Sequence, residues 1–108
     1  MVIIPGSAVS FGVQFNASAS QGTPALDSYA LQFFDGPTSI DIRNVGLPTP
    51  VAGVIKVTTP TAGLPRNKSL TVLIQLIGVG GTTLSPLSDP FVFVDAPINI
   101  AAPIILVS

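Results

Sequence analysis

Large apolar residues recur at every second position along several short stretches of this chain. In the first stretch, residues 9–17, they are Val9, Phe11, Val13 and Phe15, separated by small or polar residues. Because successive side chains of a β-strand point to opposite faces, this pattern predicts a strand with one buried face. Helices are not expected, since 11 prolines and 10 glycines interrupt the chain and β-branched residues fill the intervals.

Residues 29–34, 40–42, 51–58, 70–77 and 91–94 are predicted to be further strands. The residues expected on their inward faces are Tyr29, Leu31, Phe33, Val51, Ile55, Val57, Leu70, Val72, Ile74 and Leu76. A turn is expected at Asp35-Gly36-Pro37, and Gly78-Val79-Gly80-Gly81 is expected to lead into a hairpin. Short strands joined by turn-rich loops are typical of an antiparallel β-sandwich.

Residues 63–94 contain the most specific motifs of the chain. Leu64-Pro65 precedes an apolar strand with Val72, Ile74 and Leu76 inward, and residues 85–90 read Ser-Pro-Leu-Ser-Asp-Pro before the last strand. This arrangement resembles the E–F turn, strand F and the start of strand G of fibronectin type III domains. The resemblance covers residues 5 to 95 and implies an all-β, antiparallel immunoglobulin-like (fibronectin type III-like) β-sandwich of about seven strands.

The chain departs from that family at Leu70, where the family usually has a tyrosine. A leucine cannot make the hydrogen bond of the tyrosine corner, so packing alone is expected to hold this corner. No Arg-Gly-Asp triplet is present, so the integrin-binding role of some family members is not carried over. The sandwich is expected over residues 1–95. Residues 96–108, called the C-terminal arm below, are expected to be an apolar arm or an extra edge strand.

Charge is scarce in this sequence. Charged residues make up 8% of the chain, against about 25% in an average soluble domain, and the formal net charge is -1. Near-neutral surfaces tend to associate, so contacts with other protein are expected. Four basic residues are too few to neutralise a run of phosphates, so no nucleic acid is expected as a partner. No apolar stretch is long enough for a membrane-spanning helix.

The sequence offers few groups for chemistry. It has no cysteine and no histidine, which removes disulfides, thiol nucleophiles and the commonest general base and metal ligands. The five aspartates lie in or beside predicted turns, where they are expected to accept backbone hydrogen bonds; the alternative is that two or three of them bind Ca²⁺. A Ser–Lys dyad at Lys56 or Lys68 lacks a surrounding nucleophile motif. We expect no enzymatic activity, no catalytic residue, no metal and no cofactor.

Both ends of the chain are apolar, and they are the expected protein interface. The expected interface residues are Val2, Ile3, Ile4, Ile98, Ile100, Ile104, Ile105, Leu106 and Val107. Such a C-terminal arm is too apolar to remain solvated. It either closes an edge of its own domain, for example by pairing with residues 2–4, or adds as a strand to a neighbouring subunit.

The expected function is that of a non-enzymatic structural subunit of a large assembly. A virion is the leading expectation, with the chain as a capsid decoration or cement protein or a tail protein, because such proteins often resemble immunoglobulin or fibronectin type III folds. The partners would be other subunits of the same assembly, including copies of this chain, and the protein would be made in the cytoplasm without a signal peptide. The alternative is an extracellular adhesion or carbohydrate-binding module that presents loops at residues 35–41 and 80–88.

Overall fold

A computed structural model describes residues 1–98 and 101–107 of the chain. These residues form eight β-strands and no helix. The strands are β1 (Val2–Pro5), β2 (Ser10–Asn16), β3 (Ser28–Asp35), β4 (Thr38–Gly46), β5 (Val54–Pro60), β6 (Leu70–Gly78), β7 (Gly81–Leu84) and β8 (Phe91–Val94). The protein is therefore all-β, as the alternating pattern predicts.

The strands form two sheets. The large sheet has the order β1-β8-β6-β3-β4, with β7 also paired to β6, and the small sheet contains β2 and β5. Every pair of strands is antiparallel except β1 and β8, which run parallel from Val2 beside Phe91 to Pro5 beside Val94. The structure thus has eight strands where about seven were predicted, and the parallel pair β1–β8 departs from the predicted antiparallel arrangement. A pairing between two four-residue strands at opposite ends of the chain leaves no local trace in the sequence.

The two sheets share one hydrophobic core. Tyr29, Leu31 and Phe33 of β3 are buried in it, as predicted. Aromatic contacts join the sheets, because the Phe11 ring of β2 lies 5.2 Å from that of Phe93 in β8, and the Phe15 ring lies 5.1 Å from that of Tyr29. The inner faces of the sheets therefore pack against each other, a two-layer arrangement compatible with a β-sandwich.

The predicted strand at residues 51–58 is displaced in the structure. Val51 is exposed and forms only an isolated bridge to Val54, where β5 begins. Ala52 and Gly53, between them, have positive φ angles of 52° and 77° and form a turn. Because a left-handed alanine is rare, the sequence gives little warning of this turn.

Two predicted turns are confirmed as tight hairpins. Gly36-Pro37 connects β3 to β4, and Gly36 has a φ of 58°, which glycine adopts without a steric penalty. Val79-Gly80 connects β6 to β7, with Gly78 opposite Gly81. Much of the two regions predicted as ligand-presenting loops, residues 35–41 and 80–88, is therefore strand.

Gly78 lies where the chain packs too closely for a side chain. A Cβ atom there would collide with the backbone carbonyl of Ala25, whose segment is fixed by the hydrogen bond from Asp27 N to Ile77 O, 2.8 Å. We expect Gly78→Ala to lower the free energy of unfolding by about 1–3 kcal/mol, since backbone must move to make room. Urea denaturation followed by circular dichroism measures this loss.

Gly80→Ala is the matched control, because no atom lies within 4 Å of the position of its added Cβ. This substitution should change stability by no more than about 0.5 kcal/mol. Equal losses in the two variants would contradict the close packing of Gly78 against Ala25.

Candidate functional site

The described residues of the C-terminal arm lie away from the domain. Residues 96–98 and 101–107 belong to no strand and are exposed. The exposed fractions of its large apolar side chains are 92% for Ile98, 83% for Ile104, 90% for Ile105, 84% for Leu106 and 100% for Val107. The radius of gyration is 19.0 Å, against about 13 Å for a compact domain of this length. Ile100, also predicted to be an interface residue, lies outside the described residues.

The N-terminal residues predicted for the interface lie in β1. Val2 and Ile3 are exposed, whereas Ile4 is half-buried and packs against the core. β1 is paired with β8, and the Val2 N–H donates to Pro90 O at 3.0 Å. The structure therefore does not bring the two apolar ends of the chain together in the part that it describes.

The outer edge of β2 is open. Among the described residues, β2 pairs only with β5. The Ala17 N–H donates to Gly53 O and Val9 O accepts from Thr61 N, so odd-numbered residues of this segment bond toward β5. Because backbone groups alternate in direction along an antiparallel strand, the N–H and C=O groups of even-numbered residues face the open edge. They belong to Ser10, Gly12, Gln14 and Asn16.

Two clefts lie beside this edge, between β2 and the large sheet, and together they are called the β2 groove below. The first cleft, about 230 Å³, is lined by Phe11 and Val13 of β2 and by residues of β1, β6 and β8 that include Phe91. The second cleft, about 330 Å³, is lined by Phe15 of β2, by Tyr29 of β3, and by residues of β6 and of the β7–β8 connection. The inward side chains Phe11, Val13 and Phe15 pack on the core but are only half-buried, since no strand covers them from this side.

The opposite edge of the small sheet is closed by Arg43 of β4. The Arg43 guanidinium donates to Thr59 Oγ1 at 2.9 Å, to Ala62 O at 2.7 Å and to Pro60 O, and pairs with Asp41 at 2.8 Å. It also lies 5.3 Å from the centre of the Phe33 ring. Ile55 and Thr59, on the inner face of β5, are buried. In the sequence, Arg43 is only one of four scattered basic residues. Arg43 lies two residues from both Asp41 and Val45, and this alternation is the one sequence feature that indicates an inward-facing side chain.

Three of the five carboxylates form ion pairs, and among the described residues no backbone N–H donates to an aspartate carboxylate, so the expected turn hydrogen bonds are not formed. Asp41 pairs with Arg43, Asp95 lies 3.6 Å from Arg66, and Asp35 lies 3.3 Å from Lys68. Within residues 1–98 and 101–107, no three aspartates gather closely enough to hold a metal ion.

The turn before β6 is held by more than packing. Leu70 is fully buried, but the Asn67 N–H also donates to Phe93 O at 2.7 Å, and the Asn67 amide donates to Asp95 at 3.2 Å. Arg66 donates to Gly6 O. The expectation of packing alone is therefore wrong, because the two bonds from Asn67 also link this turn to the last strand and the residue after it.

The described part of the chain contains no helix that is long and apolar enough to cross a membrane. A comparison with protein-family models, curated proteins and solved structures finds no match for this chain.

Proposed function

We propose that this protein is a non-enzymatic structural subunit of a large protein assembly. The proposed assembly is a virion, in which the protein acts as a capsid decoration or cement protein or as a tail protein. We further infer that the fold is an immunoglobulin-like sandwich of the fibronectin type III kind. Strands β3, β6 and β7/β8 oppose β2 and β5, which corresponds to the grouping of strands C, F and G opposite B and E. The position of β1 beside β8 departs from the usual grouping of strand A with B.

The exposed C-terminal arm is the observation that carries the proposed function. Ile104, Ile105, Leu106 and Val107 form a continuous apolar run, and each is at least 83% exposed. Burying such a side chain is worth about 1.5–3 kcal/mol, so the arm gains substantially from docking on protein. Val2 and Ile3 add exposed apolar surface at the other end of the chain.

The scarcity of charge supports the same role. Three of the five aspartates already pair with three of the four basic residues, which leaves little charge to keep copies of the domain apart. Tyr29, the one tyrosine, is buried with its hydroxyl bonded to Ser18 N and Gln21 Oε1, and residues 35–41 and 80–88 contain no aromatic ring. Those segments therefore lack the rings on which a sugar would stack.

Association of the purified chain tests the proposal. The full chain should have a mass well above 11.0 kDa in size-exclusion chromatography with light scattering at high micromolar concentration. Ile104→Asp/Leu106→Asp should weaken this association by about 3 kcal/mol or more, which is over a hundredfold in Kd, because two buried aliphatic groups become charged.

Ala19→Asp/Ala62→Asp is the control, since it adds the same charge at exposed positions outside the arm. This control should associate like the unmodified chain. A full chain that remains monomeric at high micromolar concentration would contradict the proposed function. The virion itself is tested by mass spectrometry of purified particles from the source culture.

A further inference from the structure

We propose that the β2 groove is the acceptor for the C-terminal arm of a second copy of this chain, which adds as a strand to the open edge of β2. This inference rests on the proposed assembly role and names the surface through which it would act. The occupant is residues 104–107, and the recognition is by backbone hydrogen bonds together with alternating apolar side chains.

The backbone of β2 is suited to accept a strand. Ser10, Gly12, Gln14 and Asn16 direct their N–H and C=O groups to the open side, and no described residue bonds to these groups there. These groups repeat at the spacing of a sheet ladder, about 6.6 Å for every two residues. An added strand would therefore extend the two-stranded sheet to three strands.

The groove is suited to apolar side chains. Its clefts lie beside Phe11 and Val13 at one end and Phe15 at the other, so they follow the two-residue spacing of β2. An apolar cavity of about 150 Å³ holds a benzene-sized group, so clefts of about 230 and 330 Å³ each accommodate a branched aliphatic side chain. An added strand would bury the half-exposed sides of the β2 phenylalanines.

The arm matches this groove in length and pattern. Residues 104–107 are four consecutive aliphatic residues that span about 10 Å as a strand, so they fit within the distance of about 13 Å from Phe11 to Phe15. Ile104 and Leu106 would face one side of that strand, and Ile105 and Val107 the other. Pro103, which has no N–H to donate, precedes the run and is left outside the ladder.

The other open edges are protected. β4 carries the charged residues Asp41 and Arg43 on its inner face, a device that opposes strand addition. The outer edge of β5 contains Pro60, whose carbonyl is occupied by Arg43. β1 and β7 have only four residues each, and β1 ends in a proline. β2 contains seven residues, with neither a proline nor a charge.

Cysteine cross-linking between two versions of the full chain tests the proposal, because the natural sequence contains no cysteine. The acceptor version carries Gln14→Cys on β2 together with Ile104→Asp/Leu106→Asp, which disables its own arm. The donor version carries Ile105→Cys. A short bis-maleimide linker should give about tenfold more heterodimer than a control acceptor, because a docked arm holds the two thiols at high effective concentration.

The control acceptor replaces Gln14→Cys with Ile42→Cys, at an exposed position on the edge strand β4. Preferential linking of Gln14→Cys supports the proposal. Preferential linking of Ile42→Cys, or equal linking of both, while light scattering still shows arm-dependent association, overturns the groove and leaves the assembly role standing. Absence of association overturns both. A chain with Gln14→Cys and Ile105→Cys that links internally when dilute shows that the groove takes its own arm, which also overturns the proposal.

Discussion

Phe33→Ala should lower the free energy of unfolding by about 3–5 kcal/mol, the loss typical of a large-to-small change in a packed core. Phe33 is fully buried at the centre of β3. Its ring lies 6.0 Å from that of Phe11 on the small sheet and 6.3 Å from that of Phe91. Removing it takes away contacts that join the two sheets. Domains of this size are stable by about 5–15 kcal/mol, so the loss should be visible as a lower urea midpoint.

Phe34→Ala provides the comparison, because Phe34 follows Phe33 in the same strand and is only half-buried. Its replacement should cost about 1 kcal/mol. Losses of similar size for the two phenylalanines would contradict the inward placement of Phe33.

Arg43→Ala should lower the free energy of unfolding by about 2–4 kcal/mol, because it leaves several acceptors without their donor. These acceptors are the Thr59 hydroxyl, the carbonyls of Pro60 and Ala62, and the Asp41 carboxylate. Arg43→Lys should recover only part of the loss, since an ammonium group cannot reproduce the planar fork of a guanidinium. Urea is the suitable denaturant, because guanidinium chloride would screen the ion pair.

Lys68→Ala is the control for this series. Lys68 also pairs with an aspartate, Asp35 at 3.3 Å, but it is largely exposed, and such pairs contribute between zero and about 1 kcal/mol. If the two substitutions lowered the free energy of unfolding by the same small amount, this would contradict the role of Arg43 in closing the edge between β4 and β5.

The sequence predicts the strands that bury one face and misses those that do not. β2 and β3 follow directly from the alternation of residues 9–17 and 29–34, since burial of one face imposes a period of two. β7 follows the predicted hairpin turn, but its extent is not predicted because all four of its residues are exposed and burial imposes no alternation on them. β1 is missed because the residues that identify it as a strand lie at the far end of the chain, in β8.

The candidate site could be predicted only in part. The apolar residues of the arm are evident from composition, and the structure leaves Ile104–Val107 exposed. The β2 groove could not be foreseen, because it exists where no strand lies beside β2. That depends on β1 pairing with β8, a long-range choice of partner that no local pattern of residues encodes.

The parallel pairing of β1 with β8 also determines how the domain would respond to mechanical force. Tension applied upstream of Val2 and downstream of Val94 would slide the two strands past each other along their length. The hydrogen bonds between them, from Val2 N to Pro90 O at one end to Gly6 N and Val94 O at the other, would then be loaded together. In an antiparallel hairpin that is pulled apart at its open end, by contrast, the hydrogen bonds break one at a time. In this geometry the ladder must shear as a unit before Phe91 and Phe93 can leave the core.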